Sequence, residues 1–264
     1  MPLERQVPPI SPLVLRFFRR IVRRYFRRHF RAVQVQHAER LTVQRGPLVV
    51  FGNHSSWWDP MLLVLLGQLL MPDRRHYAPI DARALEQYPI LRKLGIFPVE
   101  MGSPRGAAQF LRTAEAVLRD GGVLWLTPQG RFVDPREFPL AFKPGLAALA
   151  QRVPEATFVP MAVEYTFWDE RLPEALVHVG EPVSVTHGST SAQLTRELET
   201  ALASTMYALQ QAAMARDARA FTTVFSGARG TGGMYGLIRR WGALVRGRRP
   251  LLDHTRRDAQ EDEL

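Results

Sequence analysis

The sequence predicts an α/β fold with a mostly parallel central sheet that is flanked by helices. Short apolar runs alternate with longer amphipathic runs, and the longer runs carry helix start and stop signals. The chain has 264 residues, of which 46% are hydrophobic, so it is long enough for one α/β domain with appended segments. We expect a basic amphipathic segment over residues 1–36, the domain that carries the activity over 37–217, and a basic C-terminal extension over 218–264.

The segment from Ser11 to Val33 has the periodicity of a basic amphipathic helix. Arginines fill most of the positions between its apolar residues, which are Val14, Phe18, Ile21, Val22, Tyr25, Phe26, Phe30 and Val33. A basic helix rich in Phe is typical of a segment that lies in the interface of an anionic membrane. The alternative is a helix that packs on the domain with a solvated arginine face. If the helix serves only the membrane, its removal should leave activity on a detergent-dispersed substrate intact.

Six apolar runs are predicted strands of the sheet. They cover residues 48–52, 76–80, 96–99, 123–127, 157–165 and 176–185. Asp59 and Ser103 each precede a proline and are predicted to cap the helices that follow them. A glycine pair at 121–122 ends the second of these helices, and a last long helix is predicted from Ser191 to Arg216.

The C-terminal extension resembles the N-terminal segment in its composition. After a glycine-rich join at 225–233, a second basic stripe contains Met234, Leu237, Ile238, Trp241, Leu244 and Val245. The formal net charge of +10 is carried almost wholly by arginine, which favours an anionic partner. Because Phe, Ile and Leu are interleaved with the arginines, we expect an anionic membrane surface and no nucleic acid.

Several kinds of site are excluded by residues that the sequence lacks. It has no cysteine, so thiolate metal sites and cysteine nucleophiles are absent. It also lacks the G-x-S-x-G, H-E-x-x-H and G-K-[ST] motifs. No metal or cofactor is implied. Because no apolar run reaches the roughly 18 residues that span a bilayer, we expect a peripheral protein on the cytoplasmic face of the cell membrane.

The segment GNHSSWWDP places His54 and Asp59 directly after a predicted strand. Ligand sites of α/β folds lie at such strand ends. The intervening loop can turn the Asp59 carboxylate toward one imidazole nitrogen, which leaves the other nitrogen free to take a proton from a hydroxyl group. A catalytic dyad of this kind needs no protein nucleophile when the substrate supplies the hydroxyl. The alternative is that Asp59 only caps the helix.

The same segment resembles the N-H-x-x-x-x-D block of the glycerolipid acyltransferases, the family that includes the lysophosphatidate acyltransferases. Three further blocks follow in the order of that family: GIFPVE at 95–100, TPQGRF at 127–132, where the family has F-P-E-G-T-R, and VPMAV at 159–163. The resemblance covers about residues 45–185. It implies an O-acyltransferase that moves a fatty acyl group from acyl-CoA or acyl carrier protein to the hydroxyl of a lysophospholipid or a related lipid.

By this resemblance His54 and Asp59 are the catalytic dyad, and six residues contribute to substrate binding. These are Asn53, Ser55, Gln129, Gly130, Arg131 and Pro160. The third block departs from the family pattern, since Gln129 replaces the acidic residue and Arg131 comes one position early. The second block ends in Glu100, where a basic residue is usual. Because the family uses these positions to hold the phosphate of the acceptor, lysophosphatidate is not expected to be the best acceptor.

Two other functions fit parts of the sequence. A thioester hydrolase would keep the His54 and Asp59 dyad and would activate water in place of a lipid hydroxyl. A non-catalytic membrane-binding protein would keep the fold and the amphipathic segments without a need for both dyad residues.

Overall fold

A computed structural model describes residues 7–185 and 188–228. Its eight strands form one sheet and are β1 Ala32–Gln36, β2 Leu48–Gly52, β3 His76–Asp81, β4 Ile96–Val99, β5 Val123–Leu126, β6 Thr157–Thr166, β7 Glu174–Val179 and β8 Thr222–Ser226. Their order across the sheet is β4-β3-β5-β2-β6-β7-β1-β8. Only the β6–β7 and β1–β8 pairs are antiparallel. The predicted α/β class with a mostly parallel sheet is confirmed.

Helices cover both faces of this sheet. They are α1 Pro12–His29, α2 Glu39–Thr42, α3 Asp59–Leu70, α4 Ala82–Gln87, α5 Pro104–Arg119, α6 Gly145–Arg152 and α7 Ser191–Ala215, with two short 3₁₀ turns at Pro89–Lys93 and Ala218–Ala220. Helices α1 and α3 pack against one face, and α5, α6 and α7 pack against the other. Alternate residues of β2 enter the two apolar cores: Val49 and Phe51 on one side, Leu48 and Val50 on the other.

Helix α1 contributes its apolar stripe to the core. Val22 is 1% exposed and Phe26 is 0% exposed, and both pack in the same cluster as Leu62 of α3. The apolar stripe of α1 therefore packs on the domain, which is the alternative to a helix that only binds the membrane. Removal of α1 would expose this core to water and destabilise the domain. The helix is therefore not dispensable for activity on a detergent-dispersed substrate.

The N-terminal helix ends earlier than predicted, because the chain turns into β1 after His29. Strand β1 pairs with β7 in parallel and with β8 in antiparallel register, so Val33 lies in a strand and its predicted helical conformation is wrong. Strands β1 and β8 both lie outside the predicted range 37–217 and complete the sheet at one edge. The three-part division of the chain stays a prediction, and the second basic stripe at 234–245 lies outside the described residues.

The two predicted helix caps differ in outcome. The Ser103 side chain accepts a hydrogen bond from the Gly106 amide at 2.9 Å, as an N-cap residue should. At α3 the cap position belongs to Trp58, and Asp59 is the first residue of the helix. The Asp59 carboxylate accepts from amides that precede it in the chain, which are not the free amides of the first helical turn. Its predicted capping role is therefore wrong.

Candidate active site

The candidate site lies where the carboxyl ends of β2, β5 and β6 meet. These three neighbouring strands run parallel, so the loops that follow β2 and β5 emerge at the same edge of the sheet. His54 comes two residues after the end of β2, and Asp59 opens α3. This edge is the usual location of ligand sites in open α/β sheets.

His54 and Asp59 form a hydrogen-bonded pair. The imidazole Nδ1 lies 2.8 Å from Asp59 Oδ2, with the histidine side chain 18% exposed and the aspartate side chain 4% exposed. A carboxylate can only accept, so Nδ1 donates and neutral His54 carries its proton there. The other ring nitrogen, Nε2, forms no hydrogen bond with any described residue and is available as a base.

The Asp59 carboxylate accepts three further hydrogen bonds. Oδ2 also accepts from the backbone N–H groups of Ser55 at 2.9 Å and Ser56 at 3.0 Å, while Oδ1 accepts from the Tyr165 hydroxyl at 2.7 Å. Burial, the negative charge of Asp59 and this hydrogen bond raise the pKa of Tyr165 well above its ordinary value, so the hydroxyl remains a donor. Four donors therefore fix a buried carboxylate in the orientation that its histidine partner needs.

Asn53 joins the start of the dyad loop, residues 53–58, to β6. Its amide nitrogen donates to the Val163 carbonyl at 2.9 Å, and its amide oxygen accepts from the Val163 N–H at 2.8 Å. Both polar ends of this buried side chain are thus committed to the backbone. The preceding Gly52 permits the close approach, because a Cβ atom there would lie 2.6 Å from the Met161 carbonyl oxygen.

A second loop, residues 127–133, reaches over the dyad and is called the third-block loop below. The Val133 amide donates to the His54 carbonyl at 2.8 Å, and the Phe132 ring centroid lies 4.3 Å from that of His54. Gly130 has a φ of +64°, and a Cβ atom there would lie 2.9 Å from the Lys143 side chain. Glycine is therefore required at this turn, and Lys143 is brought against it.

The remaining predicted site residues are placed differently from one another. Gln129 is 5% exposed, and its side chain forms no hydrogen bond with another described residue. Arg131 points to an exposed ion pair with Glu137 at 2.9 Å. Ser55 contributes its backbone amide to Asp59. Pro160 lies on the opposite face of β6, where its ring approaches Gly180, so the structure does not bring it to the dyad.

Another histidine, His76, is part-buried at the start of β3, at the opposite end of the strands from the dyad, and cannot replace His54 as a base. Its Nε2 lies 2.9 Å from the Met71 carbonyl, and its Nδ1 accepts from Trp125 at 3.1 Å. Burial lowers the pKa of His76 to about 4. Both nitrogens are engaged, and the imidazole is neutral in the folded protein at neutral pH.

A small apolar hollow lies directly behind the dyad. It is lined by Val50, Leu63, Trp125, Met161 and Val163, together with the backs of Asn53 and Asp59. Such walls keep water from the rear of the carboxylate, which strengthens the hydrogen bonds that hold it.

Backbone N–H groups near the start of α3 are candidate donors for a developing oxyanion. The amides of Ser55 and Ser56 are already bonded to Asp59, and the Trp58 amide donates to the Ser56 hydroxyl at 3.1 Å. These three N–H groups therefore hold the dyad loop in shape and are not free for an oxyanion.

Comparison with protein families gives a match over residues 32–164 to the model described as Acyltransferase. The matched segment is half of the chain and contains the whole of the dyad and third-block loops. The chain belongs to the Acyltransferase family. It is an acyltransferase, and the expectation from the sequence blocks is confirmed at this level.

The fold of this acyltransferase is also found among solved structures. It is similar to that of the 1-acyl-sn-glycerophosphate (LPA) acyltransferase PlsC from Thermotoga maritima, with a TM-score of 0.56 and 16% sequence identity. The match covers 74% of this chain and 79% of that chain. Comparison with curated proteins gave no significant match. At this identity the likeness shows the fold alone.

Proposed function

We propose that the protein transfers a fatty acyl group from a thioester of coenzyme A or of acyl carrier protein to the hydroxyl of a lipid. His54 Nε2 removes the hydroxyl proton as the lipid oxygen attacks the thioester carbonyl carbon. The tetrahedral intermediate collapses with cleavage of the C–S bond, and His54 returns the proton to the leaving sulfur. Asp59 stays ionised and stabilises the imidazolium that forms between the two steps.

The observation that carries this proposal is the hydrogen bond between His54 Nδ1 and Asp59 Oδ2 at 2.8 Å. The carboxylate is almost fully buried and saturated with donors, so the pair does not depend on a surface ion pair that water would weaken. The His54 side chain is 18% exposed and its Nε2 forms no hydrogen bond with a described residue, so an acceptor hydroxyl can approach the imidazole. No described serine or threonine is bonded to that nitrogen, which supports a hydroxyl supplied by the substrate.

Replacement of His54 by alanine tests the proposal. We expect His54→Ala to lower acyl transfer from a labelled acyl thioester to a lipid alcohol by roughly a hundred- to ten-thousandfold, because the general base is lost. The thermal unfolding temperature should stay close to that of the wild type, which separates lost chemistry from lost fold. Transfer within about threefold of wild type would contradict the assignment.

The acceptor that best fits the site is a lipid alcohol with a neutral or zwitterionic head group. A phosphomonoester is held best by the paired donors of an arginine, and Arg131 lies in solvent beside the Glu137 carboxylate, whose negative charge disfavours a dianion there. Gln129 presents a neutral amide, and Lys143 beside Gly130 supplies a point charge without the paired donors of an arginine. These three side chains are better suited to hydrogen bonds with a polar head group than to binding the dianionic phosphate of lysophosphatidate.

The membrane-facing surface includes the outer side of α1 and the tip of the dyad loop. Leu13 and Phe17 are exposed between arginines on α1, and Trp57 is exposed on the loop. The C-terminal half of α1 adjoins the loop, because the Trp58 ring centroid lies 6.4 Å from that of Tyr25 and 5.8 Å from that of Trp57. An arginine-rich helix with exposed apolar residues, next to a loop that exposes a tryptophan, is suited to a peripheral position on an anionic bilayer.

Among the residues described, no helix is both long and apolar enough to cross a membrane. The cytoplasmic side stays a prediction.

Sedimentation with vesicles tests this surface. Phe17 is 66% exposed on α1, and we expect Phe17→Ala to weaken binding to anionic vesicles by roughly three- to tenfold, since part of the apolar anchor is lost. Tyr207 is 63% exposed on α7, which covers the opposite face of the sheet, and Tyr207→Ala is the matched control. Binding should also weaken as salt rises. Equal losses for both variants would contradict the assignment of this surface.

A further inference from the structure

We propose that Tyr165 is a positioning residue for the dyad, acting through the free oxygen of Asp59. The proposal rests on the proposed function of His54 and Asp59. Tyr165 lies at the end of β6, 106 positions from Asp59 in the chain, and its hydroxyl donates to Asp59 Oδ1 at 2.7 Å. None of the sequence blocks includes it.

The distribution of donors over the two carboxylate oxygens gives Tyr165 a distinct task. His54 and the amides of Ser55 and Ser56 all bond to Oδ2. Among the donors described, Tyr165 alone bonds to Oδ1. Rotation about the Cβ–Cγ bond moves both oxygens, so the hydrogen bond to Oδ1 adds to the restraint that the three donors on Oδ2 impose, and it satisfies an oxygen that would otherwise be buried without a described donor. The direction of the hydrogen bond to His54 is thereby set.

The surrounding structure holds Tyr165 firmly enough for this task. Its backbone is registered opposite Ala175 in the β6–β7 ladder, and its ring centroid lies 5.7 Å from that of Phe30. Phe30 in turn packs edge-on against Trp58, the residue before Asp59, at 4.9 Å. The same aromatic cluster therefore buttresses both the tyrosine and the loop that carries the aspartate.

The hydroxyl also shares the charge of the carboxylate. Each hydrogen bond that Asp59 accepts withdraws part of its negative charge from His54, the other titratable group bonded to it. Without the tyrosine donor, more of that charge acts on the imidazole, and the imidazolium is stabilised further. A tyrosine that only filled space in the core would have no such effect.

Tyr165→Phe tests the proposal, because it removes the oxygen and keeps the ring. We expect kcat to fall by roughly ten- to a hundredfold, as for the loss of one hydrogen bond to a charged group, with little change in the KM of the acyl donor. The acid limb of the pH–rate profile should move to higher pH, because the imidazolium is stabilised further. Tyr207→Phe is the control and should leave kcat within twofold, since its ring is exposed on α7 at the other face of the sheet and its hydroxyl forms no hydrogen bond with a described residue.

Two companion measurements separate the possible failures. In a His54→Ala background, Tyr165→Phe should lower the residual rate by less than twofold, because the two residues act as one unit. If Tyr165→Phe retains kcat within twofold, or if its acid limb stays in place or moves to lower pH, the positioning role is overturned while the dyad stands. If His54→Ala itself stays active, the dyad and the positioning role both fall. Thermal unfolding of each variant separates a loss of positioning from a loss of fold.

Discussion

The two loops that meet at the carboxyl edge of the sheet are built in opposite ways. In the dyad loop, the Asp59 carboxylate is buried with four donors, and both ends of the Asn53 amide are bonded to Val163. In the third-block loop, Gln129 makes no side-chain hydrogen bond with a described residue, and Arg131 joins Glu137 in solvent. The reacting groups are therefore held in place before the substrate binds, whereas the side chains that would meet the acceptor have few or weak contacts with the rest of the protein.

The energies of these contacts follow the same division. A buried hydrogen bond to a charged group contributes about 1.5 to 3 kcal/mol, and an unpaired partner left behind adds a further cost. An exposed ion pair such as Arg131 with Glu137 contributes about 0 to 1 kcal/mol. Substitutions in the dyad loop should therefore have large effects, and those in the third-block loop should mainly change which lipid is used.

The largest expected effect comes from Asp59→Asn. An amide has one acceptor oxygen and a donating NH₂ group, so it cannot accept from His54, Ser55, Ser56 and Tyr165 together. We expect kcat to fall by roughly a hundred- to ten-thousandfold in steady-state assays.

The matched control for this substitution lies beyond the end of the third-block loop. Asp134 is exposed and pairs with Arg136 at 2.6 Å. Asp134→Asn should change kcat by less than twofold, because a surface ion pair contributes little. Comparable losses for the two Asp→Asn variants would remove the distinction between the loops.

A smaller effect is expected when the acceptor is varied. With one acyl donor, lysophosphatidate should be turned over no faster than neutral or zwitterionic lipid alcohols of the same chain length, because Arg131 and Gln129 do not form a phosphate grip. Arg131→Gln should change these rates by less than about threefold. A preference for lysophosphatidate of tenfold or more, about 1.4 kcal/mol in transition-state binding, would show that the third-block loop binds phosphate.

Much of the fold could be predicted from local pattern. The strands at 48–52 and 96–99 have the predicted bounds, since each is a short apolar run with turn residues beside it. Strand β1 was missed because Val33 continues the helical spacing of the arginine-rich segment, although the alternation in Ala32–Gln36 is a strand signal. Strand β8 was missed because its two threonines and single valine precede a glycine-rich stretch.

Periodicity also could not say what covers an apolar stripe. The spacing of Val22 and Phe26 shows that one side of α1 is apolar, and it is equally consistent with a bilayer or a protein core. The structure decides for the core through the contacts of α1 with α3.

The sequence predicts only those contacts of the site that join residues close together in the chain. His54 and Asp59 lie within one loop, so their spacing indicates their contact. Tyr165 reaches Asp59 only because β6 lies next to β2 in the sheet, and a single tyrosine at a strand end carries no sequence signal. Pro160 was assigned to the site from its block, but the alternation of β6 turns its ring to the other face.

The central claim is that the substrate hydroxyl is the nucleophile and that no residue of the protein is acylated. Intact-mass measurement of the enzyme after incubation with a long-chain acyl thioester, without acceptor, tests it most directly. Addition of a lipid alcohol to the same sample should then yield acylated lipid, which shows that the enzyme was active. The account predicts an unmodified protein mass before that addition. An acyl adduct on the protein that disappears when the acceptor is added would contradict it.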